Sequence, residues 1–382
     1  MAGENGGLIS GGYNPLEAPD APTSVSGSAG GESIDVSFTA PSDVGGAAIQ
    51  TYIAVAVNTS TNESTAAEGG SSPITVSSLT NGVAHAISVY AKNTYGYSPA
   101  GTGNNVTPVA PQMLWGGGSV SFSNRTNVIQ YINMSSLGNV FDFGDLTVTR
   151  TGVAACSSST RGLFAGGESS TSNTNIIDYV TISTTGNATD FGDISVTTDR
   201  TNAVSNQTYG LIQLSGTVYY VTIASTGNTA TFGSLTVQHN NGSTCGSTTR
   251  GLFAGNNGDS NIIDYVTIGT SGSGTDFGDL TVNSSSGGGG CSSNTRGLFA
   301  IGENTASAST NIINYVTIAS TGNAIDFGDL TVNKGEAYSG ATSNKINGVF
   351  AGGWDSGASY ASINVIDYVT IASTGNATDF GD

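Results

Sequence analysis

Apolar and polar residues alternate along this chain in short runs bounded by Gly, Asn, Asp and Ser. Alternation of that kind reads as half-buried strands and predicts an all-β protein. One run recurs. A Tyr in a β-branched segment is followed twelve residues later by a Phe in an Asp/Gly-rich turn, giving Tyr131/Phe143, Tyr179/Phe191, Tyr220/Phe232, Tyr265/Phe277, Tyr315/Phe327 and Tyr368/Phe380. Successive Tyr residues lie 48, 41, 45, 50 and 53 positions apart. Periods of about 40–50, with four short β-rich segments in each, predict a β-propeller or another repeat array. Residues that recur in such an array satisfy packing, so repetition here does not mark a reaction centre.

Each unit is expected to hold four strands. An apolar Gly-Leu-Phe-Ala-Gly-Gly segment (Gly162 to Gly167) ends in a glycine pair that permits a tight turn. Ile176 to Ile182 is a β-branched strand, Asn187 to Asp193 turns into an outer strand, and the Ser/Gly/Cys stretch before the next Arg forms an inner strand. The first unit shows no inner strand, because the region before it runs straight into Met113 to Gly118. Gly6 to Gly12 resembles the apolar strand, and either pairs with a sheet edge to close the array or docks the protein onto a neighbour.

Residues 16–110 lack the repeat. Strands at 33–41, 49–57, 74–79 and 84–91, separated by Pro, Gly and Asn turns, predict a small sandwich of about seven strands. The expected organisation is an N-terminal anchor or closure strand (1–15), a sandwich (16–110) and a repeat domain (112–382). Pro22, Leu79 before a Gly turn, and Ile87-x-Val89-x-Ala91-x-Asn93-x-x-Gly96-x-Ser98 make the sandwich resemble a fibronectin type III domain. Phe38 stands where that family has a core Trp, and His85 where it has the corner Tyr; His85 is read as a packing and hydrogen-bonding substitute. The resemblance implies a spacer or adhesion module. The apolar strand ending in Gly-Gly and the later strand carrying Tyr resemble kelch repeats, with Phe of Asp-Phe-Gly-Asp replacing the family's usual Trp; six Tyr/Phe units imply six blades.

Charge narrows the partners. Nine basic residues face 27 acidic ones, a net −18, which repels phosphate backbones and anionic membranes. The expectation is therefore no nucleic acid and no membrane insertion. The N-terminus has neither the basic start nor the apolar stretch of a secretory signal, and no run is long enough to span a bilayer. A soluble protein is expected, leaving its cell by lysis or a signal-less route.

Arg161, Arg250 and Arg296 each precede Gly-Leu-Phe-Ala; Asp178, Asp264 and Asp367 precede Tyr; further Asp residues flank Phe191, Phe277, Phe327 and Phe380. Occurring once per unit, they scatter around an array instead of forming one acid/base centre. Turn capping by Asp, and Arg bridging neighbouring blades, is the reading adopted, with calcium in Asp-x-x-Asp turns as the alternative. Arg161, Arg250, Arg296, Tyr179, Phe191, Tyr265 and Phe277 are thus structural, and no catalytic or metal-ligating residue is assigned. Cys156, Cys245 and Cys291 occupy equivalent inner-strand positions without zinc-site spacing, and His239 has no nucleophile motif beside it. Gly287 to Gly290 reads as a loop. The variable loops are the candidate binding face: Trp354 and Tyr360 could stack on a sugar ring beside Asp355, or the loop could pack on its own blade or on a neighbouring subunit.

The near-identical repeats joined to a fibronectin-like module resemble virion structural proteins of tailed, especially marine, bacteriophages. That resemblance implies a non-enzymatic fibre, appendage or capsid decoration in multiple copies on the virion surface, extracellular after host lysis. Its partners would be other virion proteins and a host cell-surface glycan. The alternative is a bacterial extracellular carbohydrate-binding adhesin.

Overall fold

The computed structural model describes residues 16–109, 112–121, 124–134, 138–198, 201–255, 258, 260–304, 308–335, 340–355 and 361–382. The protein is all-β, with no helix among those residues, and it divides into two units, Met1–Pro111 and Gln112–Asp382. The expected N-terminal strand, Gly6 to Gly12, lies outside the described residues.

In the first unit, strands Thr23–Gly30, Ser33–Thr39 and Ile74–Ser77 form one sheet. Ser64–Gly69, Thr51–Asn58, His85–Asn93 and Gly96–Tyr97 form the other, and Gly101–Thr102 also pairs with His85–Asn93. The inner faces share a core of Ile34, Val36, Phe38, Tyr52, Ile87 and Val89, so the unit is a β-sandwich. Alternate residues of His85–Asn93 are buried, as the period of two requires. His85 is itself buried, with Nδ1 2.8 Å from the Val83 carbonyl oxygen.

Among the described residues, the second unit contains six antiparallel sheets of three or four strands in chain order, besides two short strand pairs, Ser119–Ser121 with Asn124–Arg125 and Trp354–Asp355 with Ala361–Ser362. The first has three strands: Gln112–Gly116, Val128–Asn133 and Phe141–Asp145. The second, Ala154–Ser157, Arg161–Ala165, Thr174–Thr181 and Thr189–Thr198, sets the four-stranded pattern. The third spans Asn202–Ser205 to Ala230–Ser234, the fourth Ser243–Gly246 to Thr275–Ser284, the fifth Ser286–Ser292 to Ile325–Lys334, and the sixth Gly340–Ser343 to Thr378–Gly381.

The twelve-residue Tyr-to-Phe spacing has a local cause. Tyr179 opposes Thr189, and a bulge beside Asp178 turns Phe191 diagonally toward the Tyr ring. Tyr179 and Phe191 meet edge to face with centroids 6.0 Å apart, and all six pairs adopt that geometry at 5.9–6.1 Å.

Successive sheets are linked by one repeated backbone bond. The amide of Gly186 donates to the Phe143 carbonyl (2.7 Å), Gly227 to Phe191, Gly272 to Phe232, Gly322 to Phe277 and Gly375 to Phe327. Gly138 donates to Phe380 (3.2 Å), joining the sixth sheet to the first, so the links form a closed cycle. The Gly of Phe-Gly-Asp follows from this approach: Gly328 has φ +144°, and a Cβ there would sit 2.5 Å from the Gly375 carbonyl oxygen.

One expectation fails. Gly287 to Gly290 is no loop but part of the inner strand Ser286–Ser292, bulged at Gly287 and paired with Arg296–Glu303. A Cβ on Gly287 would lie 2.7 Å from the Ser243 nitrogen of the neighbouring inner strand, so closeness between strands selects glycine.

Gly328→Ala is expected to cost about 1–3 kcal/mol through strain and backbone clash. Gly272→Ala, where nothing lies within 4 Å of the added Cβ, should cost clearly less. Denaturant unfolding of the two variants checks the contrast.

Candidate functional site

The repeated ionisable residues are consumed at the seams between sheets. Asp178, Asp264 and Asp367 are fully buried mid-strand, so the expectation of turn capping fails for them. Asp190 and Asp379 also lie within strands, where their Oδ1 atoms accept from the amides of Gly192 and Gly381 beside a bulge. Each buried carboxylate reaches the sheet before it. Thr147 donates to Asp178 through its amide (3.0 Å) and hydroxyl (2.7 Å), Thr236 does the same for Asp264 (2.8 and 2.6 Å), and the Thr331 hydroxyl donates to Asp367 (2.5 Å).

Three residues three positions after those threonines complete the seams. Arg150, fully buried, pairs with Asp178 at 2.8 Å and donates to the carbonyls of Gly166, Ile176 and Phe164. Lys334 lies 3.3 Å from Asp367 and donates to Phe350 and Val365. His239 Nε2 lies 3.1 Å from Asp264, and Nδ1 lies 2.7 Å from the Gly255 carbonyl. Both ring nitrogens thus face acceptor oxygens. Burial lowers the pKa of Arg150 and Lys334, opposed by the neighbouring Asp. Burial alone would raise Asp264, but hydrogen bonds from His239 and Thr236 outweigh it and hold the carboxyl below the usual range.

The charges are matched within the repeat. Where Ser284 replaces the cation, Asn314 replaces the Asp and accepts from Thr281 through the same oxygen position. Tyr219 in the third sheet and Gln130 in the first take the Asp position by register. Single-site reading missed Arg150, Lys334 and the role of His239. Comparing that position with the residue before Tyr, unit by unit, exposes the pairing.

Arg161, Arg250 and Arg296 bridge sheets as expected of an Arg, but to carbonyls instead of carboxylates. Their guanidinium groups donate to Ile223 and Ala224, to Ile318 and to Ile371 of the next sheet. Each also lies over its own sheet's Tyr179, Tyr265 or Tyr315 at 4.6–4.7 Å. Phe191 and Phe277 complete two of these stacks. The three cysteines are free, and burial pushes Cys156 up to about 12 and raises Cys245 and Cys291. Among the described residues no three His, Cys, Asp or Glu side chains converge as a metal set.

What remains is a cavity of about 530 Å³ among the inner strands, lined by Trp115, Asn202, Gly242, Gly290, Gly340 and Trp354 among others. Asp382 is the one ionisable residue along its described lining. Trp354 heads a two-residue strand, Trp354–Asp355, that pairs with Ala361–Ser362. Tyr360 and the Asp355 side chain lie outside what the structure describes, so only Trp354 of the three binding candidates is placed at the cavity. Trp115, which the sequence reading did not select, lines it too.

No family model and no curated protein matches the chain. Among solved structures, a crystal structure of titin domains is similar over 24% of this chain and 32% of that one, at 23% identity and TM-score 0.23.

His239→Ser alone strands the Asp264 carboxylate and is expected to cost about 3–5 kcal/mol. His239→Ser with Asp264→Asn recreates the Ser284/Asn314 arrangement and should recover most of that loss in chemical unfolding. Because the Asp264 pKa is depressed, its stabilisation is present above the ordinary carboxylate range and lost as pH falls through the folded value. The double variant should therefore show a shallower acid limb in stability against pH.

Proposed function

We propose that residues 112–382 form a six-bladed kelch-like β-propeller behind a fibronectin type III-like module, and that the chain is a non-enzymatic structural protein of a bacteriophage virion. It serves as a fibre, appendage or capsid decoration, present in multiple copies, that presents the propeller to a host-surface glycan or to neighbouring virion subunits. The observation that carries the binding part of this reading is the contrast between seams and cavity. The repeated acids and bases are spent holding sheets together, while the cavity offers Gly, Ser, Thr and Asn around two Trp residues. Neutral hydroxyl and amide groups beside an indole suit a polar, uncharged ligand such as a sugar. No cofactor is assigned. The virion part rests on the resemblance of the repeats and on the module pairing.

Mass spectrometry of purified virions, with immunogold labelling against this chain, tests the reading. Label on heads or tails is expected. Label on bacterial envelopes and none on particles would instead support an extracellular carbohydrate-binding adhesin, which Trp354 at the cavity also favours. On a glycan array, Trp354→Ala should weaken binding about tenfold or more, the loss of one stacking contact, with the melting temperature unchanged.

A further inference from the structure

Arg150, His239 and Lys334 each stand against a buried carboxylate, and the three contacts differ. Arg150 donates to Asp178 Oδ2 at 2.8 Å, and His239 Nε2 lies 3.1 Å from Asp264 Oδ2. The amides of Thr147 and Thr236 donate to the same oxygens. Between the fifth and sixth sheets the oxygen is left short. Lys334 Nζ stands 3.3 Å from Asp367 Oδ2, both side chains fully buried. That is beyond the roughly 2.7–2.9 Å of a charge-assisted hydrogen bond. Asp367 Oδ2 is accordingly buried without a hydrogen-bond partner among the described residues.

The lysine is held by other groups. Nζ donates to the carbonyls of Phe350 (3.0 Å) and Val365 (2.8 Å). Those two bonds use both hydrogens of a neutral amine, and the remaining tetrahedral position on nitrogen, the lone pair, is left for Asp367. Burial favours that neutral form, lowering the Lys334 pKa against the opposing charges of Asp367 and Asp379. The carboxyl is arranged to match. The Thr331 hydroxyl donates to Oδ1 (2.5 Å), where it stabilises negative charge if the carbon becomes tetrahedral. Oδ2, without such a donor, is the oxygen free to leave. Asp379 opposes Asp367 on the adjacent strand, which places a second carboxylate on the same face of the sheet.

We propose that Lys334 and Asp367 condense into an isopeptide bond that ties the fifth sheet covalently to the sixth. A proton passes from the ammonium to the carboxylate, giving amine and acid. The Nζ lone pair attacks Cγ, the N–C bond forms and the Cγ–Oδ2 bond breaks. Oδ2 leaves as water with the carboxyl proton and one proton from Nζ, carried across by Asp379. Oδ1 becomes the amide oxygen, still bound by Thr331, and the remaining N–H keeps one of its two carbonyl acceptors. The step consumes no oxidant, reductant or co-reactant, and the 3.3 Å separation is that of the unreacted pair. Arg150 and His239 are excluded from this chemistry, because a guanidinium stays protonated and an acyl-imidazole hydrolyses. The bond ties these sheets whatever the cavity binds, so its absence would leave the proposed function in place.

Intact-mass spectrometry of the purified full chain under denaturing conditions tests it. The wild type is expected to be lighter than its sequence mass by one water, and its digest to contain a branched peptide joining Lys334 to Asp367. Lys334→Arg places here the guanidinium that Arg150 supplies at another seam, and should leave the chain at its full sequence mass. Thr331→Val is expected to slow formation of the bond at least about tenfold, read as the fraction still at full mass with time after synthesis. A wild type at full mass once folded would overturn the proposal. So would a water loss that persists in Lys334→Arg, or a digest in which Lys334 and Asp367 lie on separate, unmodified peptides.

Discussion

Each sheet of the second unit has two apolar faces, and the whole unit depends on covering both. Leu252 and Ile263 of the fourth sheet share a core with Phe299, Ile301 and Val316 of the fifth, and Cys291 and Leu298 of the fifth with Phe350 and Val369 of the sixth. Burial on that scale forces sheets together until backbone meets backbone, which fixes glycine at Gly328 and its equivalents. It also forces polar groups out of water along the seam. An Asp buried there is tolerable because Thr hydroxyls, Thr amides and a cation from the preceding sheet replace its lost hydration. The seams therefore carry charge in opposite pairs, as at Arg150–Asp178 and Lys334–Asp367, or amide and hydroxyl groups, as at Asn314 with Thr281.

The all-β class and the six units were legible because Tyr and Phe fill one edge-to-face contact with little freedom to vary. The glycine run Gly287 to Gly290 misled because glycine signals both a flexible loop and a strand too close to its neighbour for a Cβ; only the neighbour distinguishes them. The seam cations were hidden for a different reason. Arg, His and Lys serve alike at that position, so no single letter repeats, and the regularity lies in the pairing with Asp. The cavity was harder still. Trp354 was read from a loop whose length varies, whereas Trp115 takes the register position of Phe164 in the apolar strand of the unit.

Fold and candidate site are thus separated chemically. Groups that recur are spent on cohesion, whereas the two tryptophans, Trp115 and Trp354, line the cavity. A repeat organised this way can change its loops without disturbing the seams, since none of Arg150, Asp178, His239, Asp264, Lys334 and Asp367 lines the cavity.

The bond from Gly138 to Phe380 has a kinetic meaning. In an open row, the two terminal sheets are each held by one seam and fray first, and unfolding spreads inward from them. Once the last sheet is tied to the first, no sheet is terminal, and freeing any one of them requires two seams to part together. Opening then has a higher barrier than the strength of one seam suggests.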